Sequence, residues 1–120
     1  MKLFVSGLVA VALAASITLT STPSRADEAA AKESYKTLCA KCHGDTGKGD
    51  GPSVAKLEKK PGDFTDCAHI GKFTDDQLFK IIKEGGPAEK LSKEMNGFGD
   101  GMEDDEIKGM VTYIKTFCKK

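Results

Sequence analysis

The sequence predicts an all-α domain of three or four short helices joined by long loops, and three observations carry that prediction. Ile107, Met110, Val111, Ile114 and Cys118 recur at i, i+3, i+4, i+7 and i+11, the spacing of one helical face. No stretch shows the apolar–polar alternation of a strand, and no internal repeat is present. Gly-punctuated stretches at residues 44–52 and 91–101 separate the periodic segments, and the first of them is too broken to hold a regular element. At 120 residues the chain has room for one small domain and none for a two-domain enzyme. Its 18 Lys and Arg offset 18 Asp and Glu, so the basic excess usual in a nucleic-acid binder is missing.

The first element is an export leader. Lys2 precedes a run of Leu, Val, Ala and Ile over residues 3–19, broken only by Ser6, Gly7, Ser16 and Thr18. Ser24 and Ala26 then supply the small residues of a cleavage site, so residues 1–26 read as a signal peptide and residues 27–120 as the folded domain. A retained anchor is the alternative, but a spanning helix wants about 20 apolar residues, more than this interrupted run offers. Export implies an oxidising compartment, where free thiols are unusual. The short leader and small chain point to a bacterial periplasm.

Without the leader, 32 of the 47 apolar residues remain among 94, and 16 basic residues face 18 acidic ones. A domain this lean needs help from a disulfide, a metal or a cofactor.

Residues 27–38 form the next predicted element, a helix rich in Ala, Lys and Glu, with Asp27 and Glu28 placed to favour the positive end of its dipole. It runs into Cys39-Ala40-Lys41-Cys42-His43. After the first Gly loop, residues 53–59 read as a short helix capped by Ser53 and stopped by Pro61-Gly62. Thr74-Asp75-Asp76-Gln77 is a capping box that opens a helix with Leu78, Ile81 and Ile82 on one face, ended by Gly85-Gly86-Pro87. The final helix carries the apolar stripe already described. Loops this long in a small chain are expected to wrap something.

Cys39-Ala-Lys-Cys-His43 is the C-x-x-C-H pattern of covalent haem attachment. Two thiols three positions apart at a helix end can each add to one vinyl group of a single haem. The adjacent His43 then supplies a proximal imidazole to the iron. A thioredoxin-type site would need a βαβ pattern, which is absent. A zinc site would need Cys67, His69 or Cys118 to complete four ligands.

Four Met residues compete for the second axial position. Met1 leaves with the leader, and Met110 belongs to the apolar stripe. Met102 and Ile107 occupy N′ and N4 around a Glu103 cap, the positions of a hydrophobic staple. Met95, on the flexible stretch at residues 93–99, is left as the expected sixth ligand, with the imidazole of His69 as its rival.

On these residues the chain resembles a class I c-type cytochrome across residues 27–120. The matching pieces are Cys39-Ala-Lys-Cys-His-Gly44, Gly47-Lys-Gly49-Asp-Gly51-Pro52, the loop bearing Met95, and the terminal helix with Val111-Thr-Tyr-Ile-Lys115. The resemblance implies a small cytochrome c fold wrapped around one covalently attached haem c. It also implies a carbonyl at Pro52 that accepts the His43 N–H and raises its basicity, and first and last helices that cross through Ala31, Tyr35 and Tyr113. The family commonly places Pro directly after the ligand Met; here Asn96 stands there, which fixes the backbone less.

Cys67 and Cys118 are the thiols left over after haem attachment. Bridged, they would close a loop of 52 residues, worth roughly 4 kcal/mol in the chain-entropy model. Unbridged, Cys118 completes the helical stripe and Cys67 is a loop thiol. The functional expectation is a single-haem electron carrier rather than an enzyme, cycling Fe(III)/Fe(II) between larger periplasmic redox proteins by transient docking. It is expected as a monomer with no nucleic acid and no membrane insertion after cleavage. A haem enzyme or gas sensor with an open sixth site, and a haem subunit of an oxidoreductase complex, are the alternatives.

Overall fold

The computed structural model describes residues 24–119; the expected leader, apart from Ser24, Arg25 and Ala26, lies outside the described residues. Helix α1 (Arg25–Ser34) begins two residues ahead of Asp27, because Ser24 and Asp27 cap each other. The Ser24 N–H donates to the Asp27 carboxylate at 2.9 Å and the Asp27 N–H to the Ser24 hydroxyl at 3.3 Å. The helical path does not stop at Leu38. It widens into a π turn, Tyr35–Cys39, and continues as α2 (Ala40–His43), so the whole C-x-x-C-H pentad lies on helical backbone.

The expected helix at residues 53–59 shrinks to a 3₁₀ turn, Val54–Lys56, because Ser53 makes no side-chain cap and Leu57 is already extended. A helix that periodicity did not announce, α3 (Cys67–Ile70), is held by Asp66, whose carboxylate accepts the Ala68 N–H at 2.9 Å. Helix α4 (Asp75–Glu84) has the expected capping box between Thr74 and Gln77, with bonds of 2.9 and 3.1 Å. Gly85, at φ 98°, ends it in a conformation that only Gly adopts without strain. A 3₁₀ turn, Gly86–Glu89, follows. Helix α5 (Asp104–Thr116) starts where the Glu106 carboxylate accepts the Glu103 N–H at 2.8 Å, and the flanking Met102 and Ile107 are both buried.

Helices α1 and α5 cross, and small and aromatic residues meet there. A Cβ on Gly109 would stand 4.0 Å from that of Ala31. Tyr35, wholly buried, meets Tyr113 edge-on at 5.5 Å and Phe117 at 5.1 Å. Ala31, Tyr35 and Tyr113 thus occupy the crossing. Helix α4 packs its Leu78 and Ile82 into the same core. The Lys83–Asp104 pair at 2.7 Å and the Lys115–Asp75 pair join α4 to α5 at the surface, where such pairs contribute little. Cys67, at the start of α3, and Cys118, in the 3₁₀ tail Phe117–Lys119, lie together with Cα atoms 5.0 Å apart, a separation suited to a disulfide.

The Tyr35 hydroxyl donates to the Gly44 carbonyl at 2.8 Å inside this core, and burial pushes its phenol well above the ordinary range. Tyr35→Phe leaves that carbonyl with only the Gly47 N–H, at 3.2 Å, and should cost about 1 kcal/mol, the net worth of one hydrogen bond. Urea denaturation should show the lowered midpoint; an unchanged midpoint would mean that water replaces the bond.

Candidate functional site

The end of the π turn presents Cys39, and the C-terminal end of α2 presents Cys42 and His43, to a cavity of about 370 Å³. What fixes them is the loop at residues 44–52, which folds back and fills the carbonyls that a helix end leaves open. The Ser53 N–H donates to the Lys41 carbonyl at 2.8 Å, the Gly51 N–H to that of Cys42 at 3.2 Å, and the Gly49 N–H to that of His43 at 2.8 Å. So close an approach leaves no space for a side chain at residue 51. A Cβ there would sit 2.5 Å from the Ala40 carbonyl oxygen.

The loop then carries Phe64 against the His43 ring. The Phe64 N–H donates to the Gly47 carbonyl at 2.7 Å, and the two rings stack with centroids 4.6 Å apart and planes 16° off parallel. Burial lowers the His43 imidazole to about 4, so it is neutral near pH 7 and keeps a lone pair available to a metal. Burial first, then the neighbouring Cys42, pushes the Cys39 thiol up to about 11.

Leu78, Ile81 and Ile82 of α4 and Met95 with its loop line the same cavity. That loop is bonded to the end of α4: the Gly86 N–H donates to the Met95 carbonyl at 2.9 Å and the Phe98 N–H to that of Ile82 at 2.8 Å. Gly85 and Asn96 form an antiparallel bridge. The residue after Met95 is therefore held by backbone pairing where a Pro ring is lacking. Glu94 adds a tie that sequence reasoning missed. Its carboxylate accepts from the backbone N–H groups of Glu58 and Lys59, and these donors, Glu58 foremost, hold it below the usual carboxylate range.

Cys39, Cys42, His43 and Met95 are thus brought to one cavity, and His69 reaches it as well. The His69 ring lies over Gly62, where a Cβ would be 2.8 Å from Cε1, and meets Phe73 edge-on at 6.0 Å. Met102 and Met110 also border the cavity, but from within the core, at 8% and 1% exposure. Cys67 and Cys118 do not line it; they face each other, so the four-ligand grouping with Cys39, Cys42 and His43 is not assembled. Among the described residues no group of three or more His, Cys, Asp or Glu is placed to hold a metal ion by itself.

The expected bond from His43 to the Pro52 carbonyl is not formed. Pro52 is exposed and borders a separate recess with Asp45 and Asp50, and His43 Nδ1 is buried with no hydrogen-bond partner among the described residues. The bonds from Gly51 and Ser53 draw this part of the loop to the helix carbonyls, while the imidazole lies flat on Phe64.

The residues fit a haem. A largely apolar cavity bordered by two thiols not paired with each other, a neutral imidazole and a thioether has the donor set that a covalently attached porphyrin requires. A helical shell around such a cavity, with C-x-x-C-H on its wall, defines a c-type cytochrome domain. Residues 26–114 match the family described as cytochrome c oxidase, cbb3-type, subunit III, and the chain belongs to that family of c-type cytochrome domains, which carry covalently bound haem c.

Solved structures agree on the fold. The KustC0563 c-type cytochrome superposes with a TM-score of 0.58 at 24% identity, over 72% of this chain and 95% of that one. A chain of the Kuenenia stuttgartiensis reducing HAO-like protein complex Kustc0457/Kustc0458 superposes with a TM-score of 0.65 at 29% identity, over 86% of this chain and 49% of that one. This chain therefore matches about half of that neighbour's length. No curated protein matches the chain in sequence. Among the described residues no helix is long and apolar enough to cross a membrane.

Gly51→Ala should destabilise the domain by about 3 kcal/mol, because the loop must retreat from the Ala40 and Lys41 carbonyls. Denaturation of the purified variant measures it; stability equal to the parent chain would show that the loop is not packed as described.

Proposed function

We propose that the chain is an electron carrier holding one haem c, attached through Cys39 and Cys42 and ligated by His43 and Met95. The observation that carries this reading is the shared cavity, with the C-x-x-C-H helix end and the Met95 loop both on its walls. Haem c supplies an iron that exchanges one electron between Fe(III) and Fe(II). The protein does the rest. Cys39 and Cys42 anchor the ring, and His43, kept neutral by burial, offers a nitrogen. Met95, a neutral thioether, favours the reduced form. His69 is already engaged with Phe73 and Gly62, which leaves Met95 the freer donor. Leu78, Ile81 and Ile82 keep water from the cavity. A site with both axial positions taken by protein suits electron transfer and leaves no place for a substrate.

We place the working chain in a bacterial periplasm, cleaved after Ala26, monomeric, and docking transiently with redox donors and acceptors. Cleavage there would remove Ser24 and Arg25 and so the cap of α1, while Ala31 and Tyr35 still hold the helix against α5. Intact mass of the exported protein tests the cut. A second reading, a haem subunit within an oxidoreductase complex, rests on the neighbour that belongs to one. Size exclusion of a native extract separates a free carrier from a subunit.

Two outcomes are expected. The reduced protein should refuse carbon monoxide, and Met95→Ala should bind it readily, lose the ferric thioether-to-iron absorption band and fall in reduction potential; carbon monoxide binding by the unaltered protein would instead favour an enzyme or sensor. With Cys67 bridged to Cys118, thiol labelling of the unfolded, unreduced holoprotein should find no reactive cysteine. Two labelled thiols would remove the bridge.

A further inference from the structure

The Met95 loop is fastened on two sides by different means. Toward α4 it is held by backbone bonds, those of Gly86, Phe98 and the Gly85–Asn96 bridge. Toward the other rim of the cavity, where Leu57, Lys59 and Lys60 stand, it is held through one side chain. The Glu58 N–H donates to both Glu94 carboxylate oxygens, at 3.0 and 3.1 Å, and the Lys59 N–H donates to one of them at 3.3 Å. Ser92 braces the carboxylate: its hydroxyl donates to Glu94 at 3.3 Å and accepts the Glu94 N–H at 3.2 Å. These bonds span 36 residues of sequence. The ion pair between Lys93 and Glu58 also links the rims, but at 3.9 Å, with both side chains more than three-quarters exposed.

We propose that Glu94 is a positioning residue, a latch that closes the Met95 loop across the cavity mouth and so keeps the Met95 thioether in place and small external ligands out. The proposal rests on the reading of Met95 as axial ligand. Its physical basis is that two backbone N–H groups converge on one carboxylate from the far rim, next in sequence to the thioether. The Gly85–Asn96 bridge restrains the residue after Met95 on the α4 side, and Glu94, the residue before it, supplies the restraint on the other side. With the latch open, the loop keeps its backbone ties to α4 and, toward the other rim, only the exposed Lys93–Glu58 pair, so it can swing about the α4 attachment. Apparent affinity for an external ligand rises with the fraction of molecules in which the loop is open.

The test uses the haem-loaded protein and imidazole as the probe. E94A should bind imidazole to the ferric form about tenfold more tightly than the parent chain, with a weaker thioether-to-iron band. E94Q, which keeps one acceptor oxygen, should fall between the two. E58Q, which removes the Lys93 pair but leaves the Glu58 N–H in place, should behave as the parent. Hydrogen exchange should show the Glu58 and Lys59 amides protected in the parent and faster in E94Q, a readout independent of the iron. Parent-like imidazole affinity in E94A or E94Q, with the band intact, would overturn the latch. A parent chain with no thioether-to-iron band and free imidazole binding would overturn the Met95 ligation, and the latch with it.

Discussion

A helix that ends at His43 leaves the carbonyls of Lys41, Cys42 and His43 without intrahelical donors, and each is met by an N–H from the returning loop. That one exchange sets much of the architecture. It brings residues 49–53 against the helix end, sends the chain on to Phe64, and lets Phe64 stack on His43. From there Phe64 leads to Phe117 at 6.4 Å, and Phe117 to Tyr35 and Tyr113. The crossing of α1 and α5 and the placement of the C-x-x-C-H residues are therefore parts of one packed unit. Tyr35 closes the circuit through its bond to Gly44, the residue that ends the helix.

The thin apolar inventory reads differently once the fold is known. Leu78, Ile82, Met102, Met110 and Ile114 belong to the core and also border the cavity. One side of each contacts protein and another faces the space where the porphyrin fits. A porphyrin there adds apolar contact that the chain lacks, which lets a small domain carry long loops. Helix α4 shows the economy of this arrangement. It needs only one apolar face, because that face serves both the core and the cavity.

What the sequence made legible was local. The capping box at Thr74, the helix start at Glu103 and the α5 stripe from Ile107 to Ile114 depend on residues within four positions of each other, and the structure has them where that spacing put them; Cys118, the expected end of the stripe, falls beyond α5 in the 3₁₀ tail. C-x-x-C-H was legible for the same reason. The early start of α1 came from Ser24 and Asp27, a pair split by reading the chain as cut after Ala26. The π turn at Tyr35–Cys39 has no signal in helix propensity, which ranks residues for helical backbone but does not separate a wide turn from an ordinary one. Helix α3 is too short for periodicity, and its cap, Asp66, lies outside any periodic pattern. Pro52 was assigned by likeness, and the neighbouring loop bonds put it elsewhere. The Glu94 tie was hidden because its partners are backbone groups 36 residues away, which no side-chain pattern encodes.

The two walls of the cavity are built with unequal stiffness. His43 sits at a helix end secured by three backbone bonds and an aromatic cluster, with the Cys67–Cys118 pair near the outer end of that cluster. Met95 sits on a loop joined to α4 by backbone bonds and to the far rim by exposed hydrogen bonds. Local opening follows the wall with fewer buried contacts, so the Met95 side is the one that yields first. For an electron carrier this asymmetry has a direct consequence. Electron exchange needs the same ligands in both oxidation states; with His43 and Met95 as the proposed ligands, the fixed His43 wall would give a constant reference against which the thioether is held. In that proposed reading loss of function would begin at the Met95 loop, while Cys39, Cys42 and His43 stay in register.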